Sequence, residues 1–172
     1  ADIDVIGDGS LDILNEAEIP SIIYKTFTAL GLKRFKIRVN NRKVLGGLFA
    51  LLGLERQSAD VMRTIDKLEK IGAEQVRTII VDDFAVPAAT AGQLLELLST
   101  ADPLASLAAL KGRSALLDQG VEELNTVVRS MSAFGVPEDH FTVDLTIARG
   151  LDYYTGTVYE TTMLDHPEIG SI

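Results

Sequence analysis

Period-two alternation at both ends of the chain, with helical spacing between, is the feature that most limits the fold. Asp2-Ile3-Asp4-Val5-Ile6, Phe35-Lys36-Ile37-Arg38-Val39, the stretch from Phe141 to Ile147 and the stretch from Thr157 to Met163 alternate or carry the β-branched and aromatic content of strands. A strand sends successive side chains to opposite faces, whereas a helix returns to one face every three or four residues. Neither pattern fits the other's backbone without exposing part of its apolar set. Strands first and last with helices between predict an α+β fold, an antiparallel sheet interrupted by a helical insertion.

Helical spacing runs from about Asn15 to Leu30, with Gly31 as its stop and Pro20 expected in the first turn. Two shorter helices are expected near Arg42–Leu54 and Ser58–Ile71, with Ser58 as an N-cap and Gly72 as a stop. From Ala73 to Lys111 the Ala- and Leu-rich sequence predicts short packed helices broken by Pro87, Gly92, Pro103 and Gly112. A longer helix should run from Ser114 to Phe134, ended by Gly135 and Pro137. The division is residues 1–41 as a first core part, 42–112 as the helical insertion and 113–172 as a second core part.

At 172 residues and 47% hydrophobic content, the chain can bury a core, and wholesale disorder is excluded. A net charge of −9 argues against a general nucleic-acid binder. The absence of cysteine removes disulfides, thiolate metal sites and thiol nucleophiles. The start is acidic where a signal peptide needs basic residues, and the longest apolar run, Val44 to Leu54, is short of the roughly 20 residues that span a bilayer. A cytoplasmic protein without a membrane segment is expected. The sequence opens on Ala1 and closes on Gly170-Ser171-Ile172, which reads as an excerpt from a longer protein.

Most of the candidate chemistry is weak. Gly7-Asp8-Gly9 lacks the third glycine of a dinucleotide fingerprint and reads as a tight turn. His140 and His166 have no metal-ligand spacing and read as surface loop residues. Lys33, Arg34, Lys36, Arg38, Arg42 and Lys43 form a basic cluster, either a solvated strand face or a phosphate contact, with Arg38 equally suited to a structural ion pair. Asp2 and Asp4 fall on one strand face, which could hold an ammonium group or equally be a solvent-facing edge. The informative segment is Arg149 to Glu160, which packs an arginine, an aspartate, paired tyrosines and two glycines into one short connection. Arg149 can grip a carboxylate or phosphate with both arms, and Tyr153 and Tyr154 can hydrogen-bond a polar ligand.

Ala148-Arg149-Gly150-Leu151-Asp152-Tyr153-Tyr154-Thr155-Gly156-Thr157-Val158-Tyr159-Glu160 closely resembles the histidine-specific signature of histidyl-tRNA synthetases, which are class II aminoacyl-tRNA synthetases. The opening Ala1–Gly7 resembles the strand after motif 2 of that family, and residues 37–43 and 65–72 are similar to it as well. The resemblance implies part of the class II antiparallel sheet between motifs 2 and 3, carrying a helical insertion. It implies a histidine–tRNA ligase that joins histidine to ATP, with Mg2+ accompanying the ATP, and passes histidine to tRNA(His). No tightly bound metal is implied in this segment, and the full-length protein is implied to be a homodimer. By the resemblance, Asp4 holds the α-ammonium of histidine, and Arg149 faces the substrate carboxylate and the α-phosphate of ATP as the catalytic cation. Tyr154 hydrogen-bonds the imidazole, and Tyr153 lines the same pocket. Motifs 1, 2 and 3 are absent from these residues, so the excerpt alone is expected to be inactive. The alternative is a non-catalytic paralogue, either a regulatory subunit of ATP phosphoribosyltransferase or an uncharged-tRNA sensor domain.

Overall fold

A computed structural model describes residues 3–148 and 154–172. Helix α1 (Leu14–Ala29) is followed by strand β1 (Phe35–Asn41). Seven helices come next: α2 (Arg42–Leu51), α3 (Ser58–Ile65), α4 (Leu68–Ile71), α5 (Ala73–Asp82), α6 (Ala88–Leu98), α7 (Pro103–Ala108) and α8 (Ala115–Ala133). Strands β2 (Phe141–Val143) and β3 (Thr157–Met163) close the sequence of elements. The α+β expectation holds.

The sheet is ordered β2-β1-β3, with β1 central. β1 runs antiparallel to β3 and parallel to β2, so the sheet is mixed rather than antiparallel. The whole helical stretch lies between β1 and β2, and a connection of that length lets a strand return in the same direction. Phe35, Ile37 and Val39 are buried on one face of β1. Phe35 meets Phe27 of α1 edge-on at 5.2 Å, and α8 packs over the same strand. Arg38 lies between these apolar residues on the opposite face.

Helices α2 and α8 approach backbone to backbone, across the expected 112/113 boundary. A Cβ on Gly47 would stand 2.6 Å from the backbone of Leu117, and one on Gly120 would stand 2.6 Å from the amide nitrogen of Val44. Neither helix backbone can yield without displacing the core residues on either side, Leu45, Leu48, Leu117 and Leu124. Ser114 caps α8 by accepting from the Leu117 amide at 3.3 Å, and Asn41 caps α2 by accepting from the Lys43 amide at 2.8 Å.

Several elements differ from expectation for local reasons. Residues 3–7 form no strand, because no described strand lies beside them to complete a ladder. The strand at Phe141 ends at Val143, where the Asp144 carboxylate accepts from the Thr146 amide at 2.9 Å and turns the chain. The helix expected over 58–71 is two helices, and Gln57 rather than Ser58 stands at the N-cap position, the Ser58 hydroxyl instead donating to the Glu55 carbonyl. Gly92 is inside α6 and breaks nothing. Gly31 and Gly72 do stop their helices, with φ of +84° and +81°. Pro20 lies well inside α1, not in its first turn; α1 begins at Leu14, whose amide donates to the Asp12 carboxylate at 2.9 Å.

Gly120→Ala should destabilise the protein by about 1–3 kcal/mol or more, since the added methyl meets backbone. Gly92→Ala, with nothing within 4 Å of the new atom, should stabilise it by up to about 1 kcal/mol. Urea unfolding of the two variants beside the parent checks both signs.

Candidate functional site

The signature connection leaves the sheet after β2 and returns to it at β3, so its placement depends on what holds those two flanks. Asn40, fully buried at the end of β1, holds the first. Its Nδ2 donates to the carbonyls of Leu145 at 3.2 Å and Ile147 at 2.9 Å, while its Oδ1 accepts from the Asn41 amide at 2.8 Å. The Asp144 amide makes one more main-chain bond to β1, donating to the Val39 carbonyl at 2.9 Å, and beyond it one side-chain amide satisfies the carbonyls of Leu145 and Ile147.

Arg38 holds both flanks. Its Nε meets Asp144 Oδ2 at 2.8 Å, Nη2 donates to Thr146 Oγ1 at 3.2 Å, and Nη1 approaches Glu160 Oε2 at 3.4 Å across the β1–β3 ladder. Nη2 also reaches Glu69 of α4 at 2.6 Å. The Arg38 side chain is 13% exposed. Burial disfavours its charge, but the carboxylates of Asp144 and Glu69 outweigh that and hold the guanidinium above its ordinary pKa. Of the two readings open for this residue, the structural ion pair is the one observed.

Glu16 holds the second flank from α1. Its carboxylate accepts from both the amide and the hydroxyl of Thr157 at the start of β3. Its backbone carbonyl would ordinarily accept from residue 20, but Pro20 has no N–H. The Tyr159 hydroxyl donates to that carbonyl instead. Burial, and then the charge of Glu16, push the Tyr159 phenol well above its usual pKa, so it stays a donor. A Cβ on Gly156 would stand 2.7 Å from the Glu16 carboxylate, so this glycine admits the clasp. Neither Glu16 nor Asn40 stood out in the sequence. A proline in a helical register four residues after a carboxylate was the available signal for the first, and paired asparagines closing an apolar strand for the second.

Of the four expected site residues, Arg149 and Tyr153 lie outside the described residues. Tyr154 is half exposed and lines a cleft of about 320 Å3 with Arg42, Phe49, Ser58, Met62 and Leu116. Asp4 is exposed, on irregular backbone rather than on a strand face, and is not among the residues lining that cleft. Asp2, its expected neighbour on that face, also lies outside the described residues. The basic cluster is largely engaged within the chain. Arg34 pairs with Asp165 at 2.9 Å, Lys36 donates to the Asp139 carbonyl at 2.6 Å, and Lys43 pairs with Glu123. Asn41 also donates to Glu123 at 3.1 Å, and although burial opposes ionisation, the Lys43 and Asn41 contacts hold the Glu123 carboxyl below its usual 4.5. His140 is packed rather than loose, edge-on to Tyr24 and Phe35 at 5.0 Å each, while His166 stays exposed beside Glu168.

The family model described as Histidyl-tRNA synthetase matches residues 3–168. The chain belongs to the histidyl-tRNA synthetase family. It is 46% identical, over 99% of its length, to a histidine–tRNA ligase of Xanthomonas axonopodis pv. citri (strain 306), and 45% identical over 99% to that of Clostridium tetani (strain Massachusetts / E88). It spans 38% and 39% of those relatives. The crystal structure of histidyl-tRNA synthetase from Nostoc sp. PCC 7120 superposes with a TM-score of 0.90 at 38% identity, covering 95% of this chain and 39% of that one. An ATP phosphoribosyltransferase regulatory subunit/histidyl-tRNA synthetase from Bacillus halodurans C shares the fold, with a TM-score of 0.73 at 19% identity.

In this family member the Lys43–Glu123 pair generates a pH dependence. A carboxyl held below its unfolded value contributes stability that is present above about pH 4.5 and is lost as pH falls through the lower, folded value. Glu123→Gln should therefore lose less melting temperature than the parent between pH 6 and pH 3. Equal losses would show that the pair contributes nothing in the folded state.

Proposed function

We propose that the chain is the part of a histidine–tRNA ligase that carries the histidine signature. The observation behind this reading is identity of 45–46% over 99% of this chain to proteins named histidine–tRNA ligase, together with the signature-like segment from Arg149 to Glu160. In the full-length protein the reaction would activate histidine with ATP to histidyl-adenylate and then transfer histidine to tRNA(His). Asp4 would take the α-ammonium group. Arg149 would face the carboxylate and α-phosphate, where a fixed cation stabilises charge that grows as the carboxylate attacks phosphorus. Tyr154 would hydrogen-bond the imidazole, with Tyr153 beside it. A pocket built to hydrogen-bond a polar side chain rejects apolar analogues strongly, because they leave its own groups unpaired.

Mg2+ would enter with ATP, and no residue of this chain is assigned to it. Residues 42–112 would form the insertion that approaches the tRNA acceptor arm. The full-length protein is proposed as a cytoplasmic homodimer. Among the described residues no helix is long and apolar enough to cross a membrane.

Histidine-dependent ATP–pyrophosphate exchange by the full-length protein tests the reading. Tyr154→Phe should raise the KM for histidine about tenfold, the cost of one unsatisfied hydrogen bond of ~1–2 kcal/mol, with the KM for ATP little changed. The 172-residue chain alone should give no exchange. A folded full-length protein without exchange, yet able to stimulate an ATP phosphoribosyltransferase, would establish the paralogue instead.

A further inference from the structure

We propose that Arg38 is a positioning residue for the histidine-activation site, setting the separation of the two flanks of the signature. The catalytic consequence rests on the function proposed above. The entering flank runs from Asp144 to Ala148; the Asp144 amide still donates to the Val39 carbonyl of β1 at 2.9 Å, the last main-chain bond described between this flank and β1. From Leu145 onward side chains rather than main-chain pairing hold it, with Asn40 donating to the Leu145 and Ile147 carbonyls from β1. One planar guanidinium spans directly from it to β3: Nε and Nη2 grip Asp144 and Thr146 at 2.8 and 3.2 Å, and Nη1 faces Glu160 at 3.4 Å. Its stem is on the central strand, whose register with β3 places Arg38 opposite Glu160. The group is a spacer of fixed width, because the donors of a guanidinium are locked in one plane. A lysine at this position would keep the charge and lose the span. Glu69 adds only an exposed carboxylate, 69% accessible, over the outer side of the group. That contact can be screened and contributes little to the spacing.

A purely structural ion pair and a positioning residue differ in what a lysine rescues and in which kinetic constant moves. The full-length protein carrying Arg38→Lys, Arg38→Met or Glu160→Gln is compared with Arg63→Gln, a control that removes only the exposed Arg63–Asp60 pair of α3. Amide hydrogen exchange is followed over residues 144–148 and 154–160, and histidine-dependent ATP–pyrophosphate exchange is measured alongside. The expected result is at least tenfold faster amide exchange confined to those two windows. It is accompanied by a tenfold or greater fall in kcat with the KM for ATP within twofold, and the order of activity is parent, Arg38→Lys, Arg38→Met. Should Arg38→Met not fold, Arg38→Lys and Glu160→Gln carry the test. Amide exchange matching the Arg63→Gln control, or rising uniformly along the chain, would overturn the proposal. So would activity that falls only in proportion to the folded fraction. If the unsubstituted protein shows no pyrophosphate exchange, the functional reading fails, and the amide-exchange windows alone decide whether Arg38 sets the flanks.

Discussion

A charged group on the central strand organises this protein. Arg38 is flanked in sequence by Ile37 and Val39, both fully buried, and it carries its charge into the other face of the same sheet. Taking a guanidinium out of water costs several kcal/mol unless carboxylates meet it with good geometry. Here Asp144 and Glu160 meet it from two different segments. Buried pairs of this kind are weak sources of net stability, but an incorrect arrangement leaves a buried charge uncompensated, at about 3–5 kcal/mol. The contribution of the network is therefore one of uniqueness: the segment after β2 has one position that satisfies Arg38, and Asn40 accepts only the same one.

On the other side of the signature the same end is reached by a defect in a helix. Pro20 withholds a donor from the Glu16 carbonyl, and the vacancy is filled by the hydroxyl of Tyr159. The lost helical hydrogen bond becomes a tertiary one between α1 and β3. Because the Glu16 carboxylate also engages Thr157, one residue ties its main chain and its side chain to the same strand. Gly156 is the position that lets the two elements close to this distance. The two flanks thus have separate anchors, β1 for the first and α1 for the second, with Arg38 reaching both.

Where a segment's neighbours are its own helical turns, its structure was legible in the sequence. α1, α2 and α8 follow the spacing of their apolar residues, and α1 stops at Gly31 as expected, whereas the one N-cap named from sequence, Ser58, is not a cap. β1 and β3 were legible from alternation and β-branched content. Pairing was not: the direction of β2 relative to β1 depends on the path of the intervening helices, which alternation does not encode. The candidate site was legible as a motif, Arg149 to Glu160, and its proposed chemistry only through the resemblance that motif carries. Its supports were not, because Asn40, Glu16 and Arg38 act on residues about 100 or more positions away, and no local pattern records such a partner.

The contrast between the two chain ends shows why alternation alone overstates strands. Residues 3–6 alternate well, yet Ile3, Val5 and Ile6 are all exposed and no ladder forms. Ile172 has almost no pattern around it, yet its amide and carbonyl both pair with Thr161 on the free edge of β3, at 2.8 and 2.9 Å. The difference is the availability of a partner edge. Alternation states which face a strand would bury; the backbone groups still need a neighbour before burial of that face becomes favourable. The first segment has a face and no ladder among the described residues, and the last residue has an edge with almost no face to bury. Asp4 belongs to that first segment: alternation assigned it a strand face, and among the described residues the backbone there is irregular.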